Sequence, residues 1–224
     1  WRVEDIRAAL VNLLNDPEVD LIIANGLLGS HQAAQIEKLN KPVIAAVVAD
    51  RILQNLPYQN GSSGKHNYVY ISDNRTVEED LRQFYQLTQF QHLGIVVDQL
   101  FLKALPELRG TTYSIQKELG FQLTLLPVVD NPENALSELP SDVDAMYVPP
   151  LLRFSEADFK RFSQSLVKHN LPSFSLIGRQ ELEMGILATL SGSDVDTIRY
   201  ARRIALYVQS ILLGTDAAQL KVNL

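Results

Sequence analysis

Two aspartates stand where a ligand-binding acid is useful. Asp50 follows the apolar run Pro42-Val-Ile-Ala-Ala-Val-Val48, and Asp98 closes Leu93-Gly-Ile-Val-Val97. Both runs are short, continuously apolar and rich in β-branched residues, the pattern of a parallel strand buried on both faces. In open parallel α/β sheets ligands bind beyond the carboxyl ends of the strands, so each acid marks a candidate mouth. A carboxylate there accepts hydrogen bonds from a ligand amine or hydroxyl, or else caps the turn that follows it. Other expected strand exits add the hydroxyls of Ser30, Tyr147 and Ser175. Arg179 adds a cation able to grip an anion with two parallel N–H groups. The run Gly26-Leu-Leu-Gly-Ser30 leads into a helix for which Ser30 is the expected N-cap. The N–H groups at such a helix start can bind a carboxylate.

Other chemistries lack their residues. Gly61-Ser-Ser-Gly-Lys65 has two residues between its glycines and is followed by His66. A phosphate loop needs four residues there and a Ser or Thr after the lysine, so this stretch reads as a surface loop. The histidines, His31, His66, His92 and His169, show no metal-ligand spacing, and no metal or cofactor is expected. No Gly-x-Ser-x-Gly elbow occurs, and neither Ser63 nor Ser175 has an evident base, so no enzyme is signalled. The chain has no cysteine, which excludes disulfides, thiolate metal sites and a cysteine nucleophile. A formal net charge of −6 without a Lys/Arg block argues against nucleic-acid and anionic-membrane partners. No run of 18 apolar residues is present to span a bilayer.

The elements that must position these residues alternate along the chain. A helical pattern with Val3, Ile6, Leu10, Leu13 and Leu14 on one face stops at Asn15-Asp16-Pro17. Strands are expected at Leu21–Ala24, Pro42–Val48 and Tyr68–Ile71, with a helix after Ser30. Thr76-Val-Glu-Glu79 is a capping-box pattern that opens a helix to about Thr88. Beyond it come strands at Leu93–Val97, Phe121–Val129, Ala145–Val148, Leu171–Ser175 and Ile186–Leu190. The intervening helices include Phe101–Leu119, interrupted near Pro106 and Gly110, and Asn131–Leu139. Another is capped by Ser155 and Asp158, and a long last one runs from Asp194 to Leu213 and closes at Gly214. Alternating strands and helices on both sides of the helix at 76–88 predict an α/β protein of two doubly wound, parallel-sheet lobes. The expected boundaries are 1–90 for the first lobe with the joining helix, and 91–224 for the second, whose last helix crosses between lobes. The first lobe opens on a helix without the strand it normally covers, so an N-terminal strand is expected to be missing.

Taken together, Asp144-Ala-Met-Tyr-Val-Pro149, Leu171-Pro-Ser-Phe-Ser175, Glu183-Met-Gly-Ile-Leu-Ala-Thr-Leu190, Ala201-Arg-Arg-Ile-Ala205, Ile211-Leu-Leu-Gly214 and Leu220-Lys-Val222 form an ordered set. In their order and spacing the chain resembles the extracytoplasmic solute-binding proteins of ABC importers with the type 1 periplasmic-binding fold. That resemblance implies two hinged lobes closing on a small ligand, with aromatic amino acids among the ligands of the group. It also implies a bacterial periplasmic or otherwise extracytoplasmic location and a membrane transporter as partner. Only Ser30, Asp50, Asp98, Tyr147 and Ser175 carry over as site positions. The mouths Gly26-Leu-Leu-Gly29 and Pro149-Pro-Leu-Leu-Arg153 are more apolar than the family pattern. The C-terminal stretch from Arg202 to Leu224 is also similar to a solute-binding-like domain fused ahead of some TolC-type outer-membrane efflux proteins. The leading expectation is therefore a non-enzymatic solute-binding domain for an amino-acid-like or small aromatic ligand. The alternative is a ligand-free sensory or interaction domain of an efflux assembly, motivated by Leu27-Leu28 and Leu151-Leu152.

Overall fold

Asp16-Pro17 ends the first helix, α1 (Val3–Asn15), as the restriction on residues before proline requires. Strand β1 (Ile22–Ala24), helix α2 (Leu27–Gln35), and strands β2 (Val43–Ala45) and β3 (Tyr68–Tyr70) follow. Next come α3 (Val77–Thr88), β4 (His92–Asp98), α4 (Gln99–Ala104), α5 (Glu107–Leu119), β5 (Gln122–Val128) and α6 (Asn134–Ser137). The chain continues through β6 (Ala145–Val148), α7 (Glu156–Lys168), β7 (Ser173–Ser175), α8 (Arg179–Met184) and β8 (Ala188–Thr189). Helix α9 (Asp194–Leu212) and a 3-10 turn at Ala217–Gln219 complete it. This computed structural model describes residues 2–72, 76–176, 178–189 and 194–223. The expected break near Pro106 separates α4 from α5, whereas Gly110 lies inside α5 and interrupts nothing.

The chain divides into two compact units, Trp1–Val77 with Asp194–Leu224, and Glu78–Ser193. The division therefore falls at 77/78 rather than at 90, and the last helix belongs to the first unit rather than to the second. Apolar packing explains both differences. Phe84 of α3 stacks on Phe174 of β7 at 5.1 Å between ring centroids, so α3 is part of the second core. Tyr207 and Ile211 of α9, with Ala217 and Val222, fill the first core beside Leu10, Leu14, Val43 and Ile44.

In the first unit the strands are parallel in the order β1-β2-β3, and their last residues Ala24, Ala45 and Tyr70 stand level. The end of the chain is stitched to this unit through Ser72 N–H to Val222 O (2.8 Å) and Val222 N–H to Gly61 O (3.0 Å). Asp216 adds a polar clamp, accepting from the N–H of Ala218 (3.0 Å) and Asn67 (3.2 Å) and meeting His66 Nδ1 at 2.7 Å. Burial opposes the charged carboxyl, but the Ala218 N–H, the His66 ring and the Asn67 N–H outweigh it and hold Asp216 below the usual carboxylate range. A lowered carboxyl stabilises the fold above the ordinary aspartate range, and that stabilisation is lost as pH falls through the lowered value. Asp216→Ala is expected to lose about 1–2 kcal/mol at pH 7. The gap between wild type and variant should begin to narrow below about pH 4. Urea titrations at pH 7 and pH 3 check this; an equal gap at both pH values contradicts it.

In the second unit five parallel strands run in the order β5-β4-β6-β7-β8. All seven residues of β4 are buried, as the apolar run requires of a central strand covered on both faces. On one face Val96, Leu126, Val128, Met146 and Val148 pack with Phe159, Phe162 and Leu166 of α7. Gly94 is fixed by this packing, because a Cβ there would meet Met146 Sδ at 2.6 Å and Leu126 Cδ1 at 3.0 Å. From β4 the chain steps to β5 on one side and then returns to β6 on the other. The gap between the ends of β4 and β6 is therefore the topological switch point, the place where open α/β sheets hold ligands.

Candidate functional site

At the switch point of the second unit the protein places its own ion pair. Asp98 ends β4, is 3 % exposed, and caps α4 by accepting from the Leu100 N–H at 2.9 Å. Arg153, on the exit loop of β6, donates to both Asp98 oxygens, Nε to Oδ2 at 2.7 Å and Nη2 to Oδ1 at 3.2 Å. Nη2 also donates to the Val129 carbonyl beyond β5, and the guanidinium lies 5.2 Å from the Phe154 ring centroid. The Asp98 carboxylate, through hydrogen bonding and charge, raises the Arg153 pKa. One guanidinium thus ties together the exits of β4, β5 and β6. Asp98, expected as an acceptor for a ligand amine, is already committed to Arg153 and to the α4 cap.

Asp50 is committed in a different way. It is 3 % exposed; Oδ1 accepts from the N–H groups of Ile52 (2.8 Å) and Leu53 (3.0 Å), and Oδ2 from that of Val77 (3.0 Å). It therefore shapes the turn after β2 and fastens it to the backbone of Val77 in the same unit. Ser30 lies inside α2 rather than at its cap, because the helix starts at Leu27 after Gly26. Gly26 takes φ +87°, a conformation open to glycine and strained for other residues, and so moves the helix start forward. The Ser30 hydroxyl donates to Leu27 O (3.0 Å) and accepts from Gln54 Nε2 (2.8 Å).

Gln54, which no motif marks, is the organising polar residue of the first unit's mouth. It is fully buried, and its Oε1 accepts from the N–H groups of Ala49 (2.9 Å) and Asp50 (3.3 Å). Its Nε2 donates to Leu27 O (3.2 Å) as well as to Ser30, so one side chain joins the β2 exit to the first turn of α2. Tyr68 OH donates to Ser30 O at 3.1 Å, and His31 Nδ1 stands 2.9 Å from Gln54 O. Beside this network Arg51 lays its guanidinium over the Tyr58 ring, 4.5 Å from the centroid. Tyr70, at the end of β3, is fully buried and its hydroxyl has no partner among the described residues. Burial pushes its phenol up to about 12; the charge of Arg51 pulls the other way, and Tyr58 adds to the rise.

The other expected site residues are scattered through the second unit. Tyr147 is buried and stacks on Phe174, with centroids 6.1 Å apart and planes at 16°. Ser175 is buried at the end of β7 and its Oγ has no partner among the described residues, while its carbonyl accepts from Thr189 Oγ1 at 3.0 Å. Arg179 opens α8 with a largely exposed side chain and pairs with Glu183 at 2.8 Å. A groove of about 580 Å³ lies on this unit, lined by Leu151, Phe154, Phe159 and Met184 and by the charged Glu156 and Lys160. Lys65, the lysine of the glycine loop, donates to the carbonyls of Ala34 and Ile36 and closes the C-terminus of α2. No cluster of metal-ligating residues occurs among the described residues. No described helix is long and apolar enough to cross a membrane.

Sequence reasoning singled out the strand ends but not the residues that engage them. Arg153 follows its acid by 55 positions, and Gln54 acts across 24 positions on Ser30, so neither pairing leaves a local signal.

No protein-family model matches the sequence. None of the curated proteins matches it either. Solved structures do. A conserved domain protein from Vibrio cholerae superposes with a TM-score of 0.72 at 16% identity, over 99% of this chain and 71% of that one. An ABC domain in complex with L-Trp from Streptococcus pneumoniae gives 0.73 at 18% identity, over 99% and 75%. A substrate-binding protein with adhesive properties from Clostridium difficile, in its ligand-free, open structure, gives 0.59 at 15% identity, over 98% and 72%. The two parallel-sheet units therefore build an α/β protein with a periplasmic-binding-protein-like fold.

Proposed function

We propose that the protein is an extracytoplasmic solute-binding domain that holds a small ligand with an apolar or aromatic body and performs no chemistry on it. The observation that carries this reading is the fold match across 99% of the chain with a domain in complex with L-Trp. One feature agrees with it: the strand exits of both units are held by buried polar networks, as a preorganised site requires. Delivery of the solute to an ABC-type transporter is the role that follows.

The efflux-assembly alternative rested on apolar mouths. Leu28 and Leu151 are buried, Leu27 is half-buried, and only Leu152 of the four is well exposed. The apolar patch that motivated it is therefore reduced to a single side chain, and no comparison supports a TolC-type fusion.

A thermal-shift screen against amino acids, nucleosides, sugars and small aromatics tests the reading. A ligand at 100 times its Kd adds about 2.7 kcal/mol, a rise of roughly 5–10 °C for a chain of this size. Asp50→Ala and Asp98→Ala are unsuitable as site controls, because both acids hold the fold. A library without a single stabilising compound contradicts the proposal.

A further inference from the structure

The charges at the strand exits decide which ligand these mouths can read. Arg153 is neutralised by Asp98, and Arg179 is paired with Glu183. Arg51 has no side-chain ion-pair or hydrogen-bond partner among the described residues, and its guanidinium lies over the ring of Tyr58. The acids show the opposite balance. Asp50 and Asp98, which were the natural acceptors for a ligand ammonium, have their oxygens filled by backbone N–H groups and by Arg153. An unpaired cation and two occupied acids favour an anion.

The buried hydroxyl of Tyr70 points to the same chemistry. Buried polar groups nearly always have a partner, and each exception calls for an explanation. The charge of Arg51 acts on this phenol, and a guanidinium can only donate hydrogen bonds. The phenol can donate as well, so a single acceptor can serve both groups. A guanidinium held over an aromatic ring can still present N–H groups for bidentate contact with a carboxylate. Arg51 is half-buried and Tyr58 is 48 % exposed, so both can be approached by a carboxylate from solvent. The same exit segment exposes Val47 (46 %) and Ile52 (60 %), apolar surface suited to the body of such a ligand.

We infer that Arg51, Tyr58 and Tyr70 form an anion-reading site in the first unit, and that the solute is a small apolar or aromatic monocarboxylate recognised without an ammonium group. This rests on the solute-binding reading above and narrows it.

Calorimetric titration of the whole chain with 3-indolepropionate, tryptamine, indole and L-tryptophan tests it. The expected order places 3-indolepropionate at least level with L-tryptophan, and tryptamine about tenfold or more weaker. Arg51→Gln should weaken 3-indolepropionate about tenfold or more and leave indole unchanged. Tyr70→Phe should weaken 3-indolepropionate while leaving the Tm of the ligand-free protein level or higher, because the hydroxyl it removes has no partner among the described residues. Tighter binding of tryptamine or L-tryptophan, or an unchanged affinity in Arg51→Gln, overturns the inference and leaves the solute-binding reading standing. So does silence from all four probes alongside a sugar or nucleoside hit in the thermal screen. Silence in both assays removes both.

Discussion

Arg153→Met is expected to destabilise the unit Glu78–Ser193 by about 3 kcal/mol, the lower part of the range for breaking a buried ion pair. The lower part applies because Arg153 is 26 % exposed while Asp98 is 3 % exposed. The loss arises less from the missing attraction than from a carboxylate left in a site that water hardly reaches. Calorimetry should show the transition of this unit falling by roughly 6–12 °C. Asp98→Asn in the same background removes the stranded charge but keeps an oxygen to accept from Leu100, so the double variant should recover most of the loss. A single variant as stable as wild type, or a double variant no better than the single, contradicts the account. The result also bears on function, because it fixes the switch point as a place already filled by the chain's own cation.

The second large effect belongs to Gln54. Gln54→Leu keeps a side chain of similar size but removes four hydrogen bonds, leaving the N–H groups of Ala49 and Asp50 without their acceptor. Unpaired buried groups of this kind cost about 1–3 kcal/mol each. Because Asp50 N–H makes the longer contact, the total should be about 2–4 kcal/mol. Ser30→Ala, which loses only the hydroxyl end of the network, should cost about 1 kcal/mol. Denaturant titration measures both, and hydrogen exchange at Ala49 and Asp50 should quicken in Gln54→Leu before the rest of the unit responds. Unchanged exchange there, with a loss below about 0.5 kcal/mol, would refute the role. Arg51 sits directly on this turn, so loosening the turn should also weaken any ligand that Arg51 holds.

Much of the fold was legible because it follows from local rules. Apolar β-branched runs such as Leu93–Val97 could only be buried parallel strands, and the amphipathic faces of 3–14 and 159–167 could only be helices. Their alternation dictated parallel sheets. The capping pair Ser155 and Asp158 formed as written, each side chain bonded to the other's end of the first turn. Asp98 and Ser175 end their strands as expected, whereas β2 stops at Ala45, so Asp50 lies in the turn beyond it rather than at the strand end.

Tertiary structure alone decided what those ends do. Whether Asp98 meets a ligand or an arginine depends on which strand lies beside β4, and β6 is brought there by a crossover that no short motif records. Whether α9 belongs to the second unit or the first depends on which core has room for Tyr207 and Ile211, and the first core does. Residue types and their spacing thus determined the elements and the edge at which they present polar groups. Burial and long-range pairing determined which of those groups are consumed in holding the fold, as Asp50, Asp98 and Ser30 are, and which, as the Tyr70 and Ser175 hydroxyls, have no partner among the described residues.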